Sequence, residues 1–222
     1  MYEDYREQID DAFGNLGSHD YFQQIKGVLL RRLIGELQNE TGTCRVLDIG
    51  AGTGTLLHEI PGSCVRVGIE PDSDMIRQIP KRADRLAIVN GTGTALPFRD
   101  ACFDMVYMSC VLHHVAHEDL LTLIKECARV IRAGGHLIVF EHNAYNLPVV
   151  FFLKKFVKID RHARFLTPRA ARRLVREAEL RPARLRYMCF FPQFLKFLLR
   201  VEQYLHWLPV GGQYCLIAVK DA

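Results

Sequence analysis

Residues 46–54 read Val-Leu-Asp-Ile-Gly-Ala-Gly-Thr-Gly, and they join a short apolar run to a helical pattern that begins at Leu56. The apolar run, residues 45–49, is rich in aliphatic side chains, which is typical of a buried strand. Glycines at a strand-to-helix turn allow positive φ angles and let a ligand come close to the backbone. A plain tight turn is the simpler interpretation of a lone Gly-x-Gly pattern, so the surrounding sequence must distinguish a turn from a binding site.

A second apolar run, residues 65–69, ends at Glu70, which follows Asp48 by 22 residues. An acidic residue at the end of the second strand of a β-α-β unit can bind the ribose hydroxyls of a nucleotide-like cofactor. The alternative role of Glu70 is to cap a helix that we predict to start near Asp72. The spacing favours the cofactor role, and the sequence therefore predicts a binding site at the glycine-rich turn.

The glycine spacing and Asp48 indicate which kind of cofactor binds there. Nicotinamide enzymes use Gly-x-Gly-x-x-Gly and place a pyrophosphate at the helix N-terminus. Here the third glycine, Gly54, comes one residue early, and Asp48 lies two residues before the first glycine. A carboxylate in that place would repel a pyrophosphate but would attract a cationic ligand, such as a sulfonium with its amino group. A nicotinamide oxidoreductase is therefore disfavoured.

Ordered motifs over residues 40–141 resemble those of the class I S-adenosylmethionine-dependent methyltransferases. After residues 46–54 and Glu70 come ALPFRDACFD at 95–104, VLHHV at 111–115 and RVIRAGG at 129–135. The first of these is similar to the family's LPF…FD stretch, and the last to its R-V-L-x-P-G-G motif. Residues 141–146 and 212–214 are similar to a small-molecule branch, methyltransferase type 11. The resemblance implies S-adenosylmethionine as cofactor.

The fold class that we predict is α/β. The resemblance implies a Rossmann-like, seven-stranded, mostly parallel sheet with helices on both faces and an antiparallel last strand. The alternation of apolar and helix-length segments agrees, because it is typical of a parallel sheet covered on both sides. Strands are predicted near 45–49, 65–70, 86–90, 103–109, 135–141, 183–190 and 214–219, and helices at 5–13, 21–38 and 169–179.

We expect one methyltransferase domain over residues 1–222. It would comprise an N-terminal helical cap (1–40), a cofactor-binding core (41–141) and a C-terminal half (142–222) with two apolar insertions near 147–166 and 192–208. Burial of the insertions as a lid over the site is the preferred interpretation. Contact of a basic, aromatic helix with a membrane is the alternative.

Ligands of open α/β sheets bind outside the carboxyl ends of the strands, so we expect the cofactor-binding residues at or directly after the strand ends. They are Asp48, Gly50, Ala51, Gly52, Gly54, Glu70, Pro71, Gly91, Thr92, Gly93, Ser109, Cys110 and His114. In the resembled family an acid after the third strand meets the adenine amine, whereas this chain has the uncharged Thr92. A structural packing role for His114 is an equal alternative.

The densest polar cluster, residues 141–146, follows the fifth strand and is the predicted catalytic region. Glu141 and His142 are candidates for a general base that deprotonates an acceptor hydroxyl or amine. The alternative is a polar turn whose carboxylate caps backbone amides. His113 is predicted to face the pocket as a third catalytic candidate.

Candidate acceptor-binding residues come from the helical cap, the polar cluster and the second insertion: Tyr21, Asn143, Tyr145 and Phe191. We predict no metal site. Neighbouring residues on a helix diverge by about 100°, so His113 and His114 would point apart, and the sequence places no third ligand.

Bulk composition agrees with an intracellular enzyme. The 222 residues include seven cysteines without a C-x-x-C pair, which favours free thiols in a reducing compartment. The acidic N-terminus has no signal-peptide pattern, so the cytoplasm is the expected location. Residues 1–140 contain 14 Lys and Arg against 19 Asp and Glu, a net charge of −5, whereas residues 141–222 contain 15 against 6, a net charge of +9. A solvated helix face explains the basic half most simply, and a surface for an anionic substrate, nucleic acid or a membrane is the alternative.

The function that these expectations support is methyl transfer to an oxygen or nitrogen atom of a small-molecule or lipid-linked acceptor. No nucleic-acid partner is expected, peripheral membrane contact stays an alternative, and the chain would act as a monomer or homodimer. A second hypothesis is a catalytically silent module that binds S-adenosylmethionine and regulates a partner. Turnover of the cofactor with any acceptor would distinguish the two.

Overall fold

The computed structural model describes residues 10–42, 44–79 and 85–221, and seven strands in this part of the chain form one sheet. The strands are β1 (Arg45–Ile49), β2 (Val65–Glu70), β3 (Leu86–Asn90), β4 (Phe103–Ser109), β5 (Ile131–His142), β6 (Arg181–Met188) and β7 (Gln213–Val219). Their order in the sheet is β3-β2-β1-β4-β5-β7-β6. The pairs among β1 to β5 are parallel, and β7 lies antiparallel between β5 and β6. The predicted α/β sheet with an antiparallel last strand is confirmed.

Helices cover both faces of the sheet, as predicted. They are α1 (His19–Thr41), α2 (Thr55–His58), α3 (Ser73–Gln78), α4 (Leu120–Val130), α5 (Leu147–Phe156), α6 (Pro168–Glu177) and α7 (Leu199–Leu205). The predicted helix at 5–13 lies largely outside the described residues. Within the described ranges, no helix is both long enough and apolar enough to span a bilayer.

Two apolar cores lie on opposite faces of the sheet because successive strand residues point to opposite sides. On β1, Leu47 packs into the core under α4 and α6, whereas its neighbour Val46 packs into the core under α1 and α2. Leu123 of α4 packs into the first of these cores, and Leu30 of α1 packs into the second. The switch of strand order falls between β1 and β4, and it opens a crevice at their carboxyl ends.

The two predicted insertions contribute short helices beside this crevice. The first forms α5 and a 3-10 turn, Lys158–Asp160. Asn146 caps α5, since its Oδ1 accepts a hydrogen bond from the Val149 amide at 3.1 Å. The second insertion forms a 3-10 segment, Gln193–Leu198, followed by α7.

Candidate functional site

A cavity of about 700 Å³ opens at the carboxyl ends of the parallel strands. Its walls come from the glycine-rich turn after β1, the ends of β2 and β4, the segment after β3, and α1. The residues at the end of β5 and at the start of the second insertion complete it. This volume is typical of a small-molecule or cofactor site.

The glycine-rich turn needs its glycines. Gly50, Gly52 and Gly54 have φ angles of 71°, 56° and 75°, which side chains rarely adopt. A Cβ atom on Gly50 would also lie 2.8 Å from Cγ2 of Val111. Among the residues predicted to bind the cofactor, only Gly54 is absent from the cavity wall, and its role is to start α2 in a left-handed conformation.

Asp48 is buried at the floor of the cavity, where β1 pairs with β4. The Tyr107 hydroxyl donates a hydrogen bond of 2.8 Å to Oδ2 of Asp48. Burial raises the pKa of Asp48 to about 8, although Tyr107 and the nearby Lys26 ammonium lower it. A cationic ligand group would favour the ionised carboxylate, which is the chemistry that the sequence predicted for this position.

Glu70 connects the end of β2 to the glycine-rich turn. The Gly52 amide donates to its Oε2 at 2.8 Å, and the Asp72 amide donates to its Oε1 at 3.0 Å. Asp72, and not Glu70, caps α3, because its Oδ1 accepts hydrogen bonds from the amides of Asp74 and Met75. Each carboxylate oxygen of Glu70 can accept a further hydrogen bond, and the side chain borders the cavity.

Glu141 and His113 lie behind the cavity wall and do not line it. Both are buried, and His113 Nδ1 lies 2.6 Å from Glu141 Oε1, while His113 Nε2 lies 3.3 Å from Asp160 Oδ1. Burial alone would lower the pKa of His113, but the two carboxylates raise it to about 10. A general base must reach the proton that it removes. This placement therefore argues against the catalytic roles that the sequence suggested for Glu141 and His113.

His142, next to Glu141, does line the cavity, together with Cys110 and two residues that the sequence analysis missed, Lys26 and Gln213. The Lys26 ammonium donates to Ser109 Oγ at 2.8 Å and approaches Cys110 Sγ at 3.7 Å. Burial would raise the pKa of the Cys110 thiol, but Lys26 and His142 outweigh burial and lower it to about 7. These side chains form a polar end of the cavity.

The sequence contains a feature that could have identified Lys26 as a residue of the site. It occupies the same helical stripe as Leu30, Leu33 and Leu37, which are buried against the sheet. A charged residue inside an apolar stripe is costly unless it has a partner. Gln213 could be found only from the sheet, because it pairs with His142 across β5 and β7.

The predicted acceptor-binding residues separate in the structure. Phe191 lines the cavity, and the Tyr21 hydroxyl donates to its carbonyl oxygen at 3.0 Å from behind the wall. Asn143 is buried outside the cavity and donates to the carbonyl oxygens of Pro209 and Gly211. Tyr145 is 48% exposed and borders a separate shallow depression beside α6. Neither Asn143 nor Tyr145 lines this cavity, because Asn143 binds the loop before β7 and Tyr145 lies beside α6 and β6.

The expected lid covers less than predicted. Phe190, Phe191 and Pro192 line the cavity, as do Val149 and Ile159 of the first insertion, but many other apolar side chains of the insertions stay exposed. We call the following set the apolar rim, with exposed fractions from 50% to 71%: Leu147, Phe151, Phe156, Phe194, Phe197, Tyr204 and Trp207.

Residues 47–139 match the model of a family described as a methyltransferase domain. A ubiquinone/menaquinone biosynthesis C-methyltransferase of Geobacter sp. is 30% identical over 69% of this chain and 73% of its own length. The corresponding enzyme of Paracoccus denitrificans is 33% identical over 49% of this chain and 46% of its own length. This chain spans about half the length of the first curated relatives that it matches.

The fold also matches solved structures. A methyltransferase of Thermotoga maritima, described as a possible histamine N-methyltransferase, superimposes with a TM-score of 0.67 over 99% of this chain and 98% of its own, at 19% identity. That identity supports the fold alone. The 30% identity to the Geobacter sp. enzyme, over 73% of that enzyme's length, shows that this chain belongs to the class I S-adenosylmethionine-dependent methyltransferases.

Proposed function

We propose that this chain transfers the methyl group of S-adenosylmethionine to a hydroxyl or amine of a small-molecule or lipid-linked acceptor. The observation that carries the proposal is the continuity of one cavity from the glycine-rich turn to His142 and the aromatic wall at Phe190–Pro192. The cofactor, when bound, supplies a methyl group on a good leaving group. The chain then has to orient the reactants and exclude water.

The polar end of the cavity suits the amino-acid part of the cofactor. Asp48 provides a carboxylate for its ammonium group, and Lys26 provides an ammonium for its carboxylate. Glu70, at the end of β2, would accept hydrogen bonds from the ribose hydroxyls, and Thr92 and Gly93 would border the adenine. The positive φ angles at Gly50 and Gly52 keep the turn open to this ligand.

His142 is the general base in this proposal. It is buried but lines the cavity, and its Nε2 atom has no hydrogen-bond partner among the described residues. Because this Nε2 atom is itself buried, the acceptor hydroxyl has to pass its proton to the part of the imidazole that borders the cavity. Glu141 acts indirectly, because the His142 amide donates to its Oε1 at 2.7 Å and the strand end is held in place.

Purified protein supplied with methyl-labelled S-adenosylmethionine and a panel of phenols, amines and hydroxylated lipids tests the proposal. We expect label transfer and S-adenosylhomocysteine with at least one acceptor, and a large decrease of both in Asp48→Asn at a cofactor concentration that does not saturate the variant. Binding of the cofactor without turnover on any acceptor would favour the silent regulatory module. Methylation at carbon is the second candidate function, because relatives are named as quinone C-methyltransferases. The position of the label in the product, read by NMR, distinguishes these reactions.

The apolar rim supports a lipid-linked acceptor and contact with an anionic bilayer. Both insertions border the cavity, since Val149 of α5 and Phe191 line it. Exposed cations lie among the rim residues: Lys154, Lys155, Lys196 and Arg200. Exposed aromatic side chains next to cations are typical of interfacial segments that bind anionic lipids.

Co-sedimentation with vesicles tests the membrane contact. We expect binding to vesicles that contain phosphatidylserine, weaker binding at high salt, and a large loss in Phe197→Ser combined with Trp207→Ser. Val65→Ser is the matched control, because Val65 is an exposed apolar residue at the amino end of β2, away from the cavity. Absence of binding at both salt concentrations would leave only a soluble acceptor. The free cysteines agree with the cytoplasm as the place of action.

A further inference from the structure

We propose that His113, His114 and Asp160 bind a divalent transition-metal ion, such as zinc, at the edge of the cavity. Their ligand atoms lie within 4.8 Å of one another. Asp160 Oδ1 lies 3.3 Å from His113 Nε2 and 3.6 Å from His114 Nε2. Ligand atoms bonded at about 2.0–2.1 Å around a tetrahedral zinc ion lie about 3.3 Å apart.

The two histidine rings lie close together, with their centroids 4.0 Å apart. They do so although residues Leu112–His114 form a 3-10 turn, in which neighbouring residues diverge by about 120°, so the side-chain conformations bring the rings together. The third ligand comes from the 3-10 turn Lys158–Asp160, in the first insertion. The sequence-based exclusion of a metal assumed that the two histidine side chains point apart and lacked a third ligand, whereas in the structure the rings lie close together and Asp160 lies near both.

Glu141 completes the arrangement as a residue that orients a ligand. Its Oε1 lies 2.6 Å from Nδ1 of His113, so Nδ1 keeps its proton when an ion takes the place of the proton on Nε2. The lone pair of Nε2 would then be available to the ion beside Asp160. A carboxylate that holds a histidine in this way is a common neighbour of metal ligands in proteins.

Burial and charge also favour an ion. The Asp160 side chain is fully buried, and neither of its oxygens accepts a hydrogen bond of standard geometry within the described residues. Across the same ranges, no lysine or arginine forms an ion pair with Asp160. Two buried carboxylates, Glu141 and Asp160, face His113, and a divalent ion would balance their two negative charges. Buried charge is costly unless it is balanced.

The proposed site is open to the cavity on one side. The His114 side chain is 35% exposed and lines the cavity, as does Ile159, next to Asp160. An ion held there can bind an acceptor oxygen and favour its deprotonation. This role rests on the proposed function, but ion binding itself does not.

Calorimetric titration of the chelator-stripped, full-length protein with Zn²⁺ tests the site. We expect one equivalent to bind, with affinity about 100-fold weaker or lost in His114→Ala and in Asp160→Asn, and about 10- to 100-fold weaker in Glu141→Gln. His117→Ala is the matched control, because His117 is exposed nearby and is not part of the cluster. Unchanged affinity in His114→Ala, or no binding to the wild-type protein, would overturn the proposal.

Cobalt substitution distinguishes this site from a neighbouring cluster of Cys110, Glu141 and His142. We expect the d–d bands of a site with nitrogen and oxygen ligands. A thiolate-to-cobalt charge-transfer band would assign the ion to Cys110 and refute the site at His114. The titrations need neither cofactor nor acceptor, so their failure would leave the proposed methyl transfer standing.

Discussion

Asp48→Asn should weaken the binding of S-adenosylmethionine, because it removes the charge of the Asp48 carboxylate. It should also abolish the pH dependence of the affinity for S-adenosylmethionine. The wild-type carboxyl is buried against Tyr107, and burial raises its pKa to about 8. Below that pH the free protein holds a proton on Asp48, and a cationic ligand must displace it. Asparagine keeps the acceptor for the Tyr107 hydroxyl but cannot carry the charge.

The magnitude follows from proton linkage. With a pKa of about 8, half of the free protein carries the carboxylate at pH 8 and about 1% carries it at pH 6. If the bound ammonium keeps Asp48 ionised in the complex, affinity falls about 50-fold between pH 8 and pH 6, or about 2.3 kcal/mol. The affinity for the cofactor therefore increases as the pH rises toward 8, and it levels off above pH 8. At pH 8 the asparagine variant should bind more weakly by about 1.5–3 kcal/mol, the usual loss for a charged hydrogen bond.

Isothermal titration calorimetry from pH 6 to pH 9 measures both effects, and buffers of different ionisation enthalpy report the released proton. Asp74→Asn is the matched control, because Asp74 is an exposed carboxylate that pairs with Arg77 on α3. A flat affinity for the wild-type protein, or the same pH slope in the Asp48 variant, would refute the reasoning.

Three further predictions concern single contacts around the cavity. Tyr107→Phe removes a hydrogen bond that lowers the pKa of Asp48, so the pH midpoint of cofactor binding should move above 8 in the same titrations. Glu70→Ala should weaken S-adenosylmethionine by about 1–3 kcal/mol in calorimetry, and unchanged affinity would remove Glu70 from the ribose site. His142→Ala should lower the turnover number far more than the cofactor affinity, and equal turnover would leave positioning alone as the mechanism.

The cofactor half of the site could be predicted from the sequence because its signals are local. An apolar run, glycines at required positive φ angles and an acid at the next strand end each depend on a few neighbouring residues. Asp48, Gly50, Gly52 and Glu70 therefore lie around the cavity as expected. The regular alternation of strands and helices likewise predicted a parallel α/β sheet, whereas the order of the strands came from the structure.

The half of the site that would bind the acceptor depends on contacts between segments that are distant in the sequence. Glu141 and His142 are adjacent in sequence and their polar atoms lie within 4.8 Å of each other, yet Glu141 pairs with His113 whereas His142 lines the cavity. Whether a polar residue beside a strand end is buried in a pair or exposed to a ligand depends on which segment packs there. Sequence periodicity does not contain that information.

The sequence by itself determined the β-α-β core, the glycine-rich turn and the class of cofactor, since apolar periodicity and φ preference act over a few residues. Only the tertiary structure decided that Lys26 and Gln213 meet beside Cys110, that Asp160 reaches the two histidines, and that the apolar rim stays exposed. The physical reason is that packing brings these groups together from separate helices, strands and insertions. Their charges and exposure are set by neighbours that lie tens of residues away along the chain.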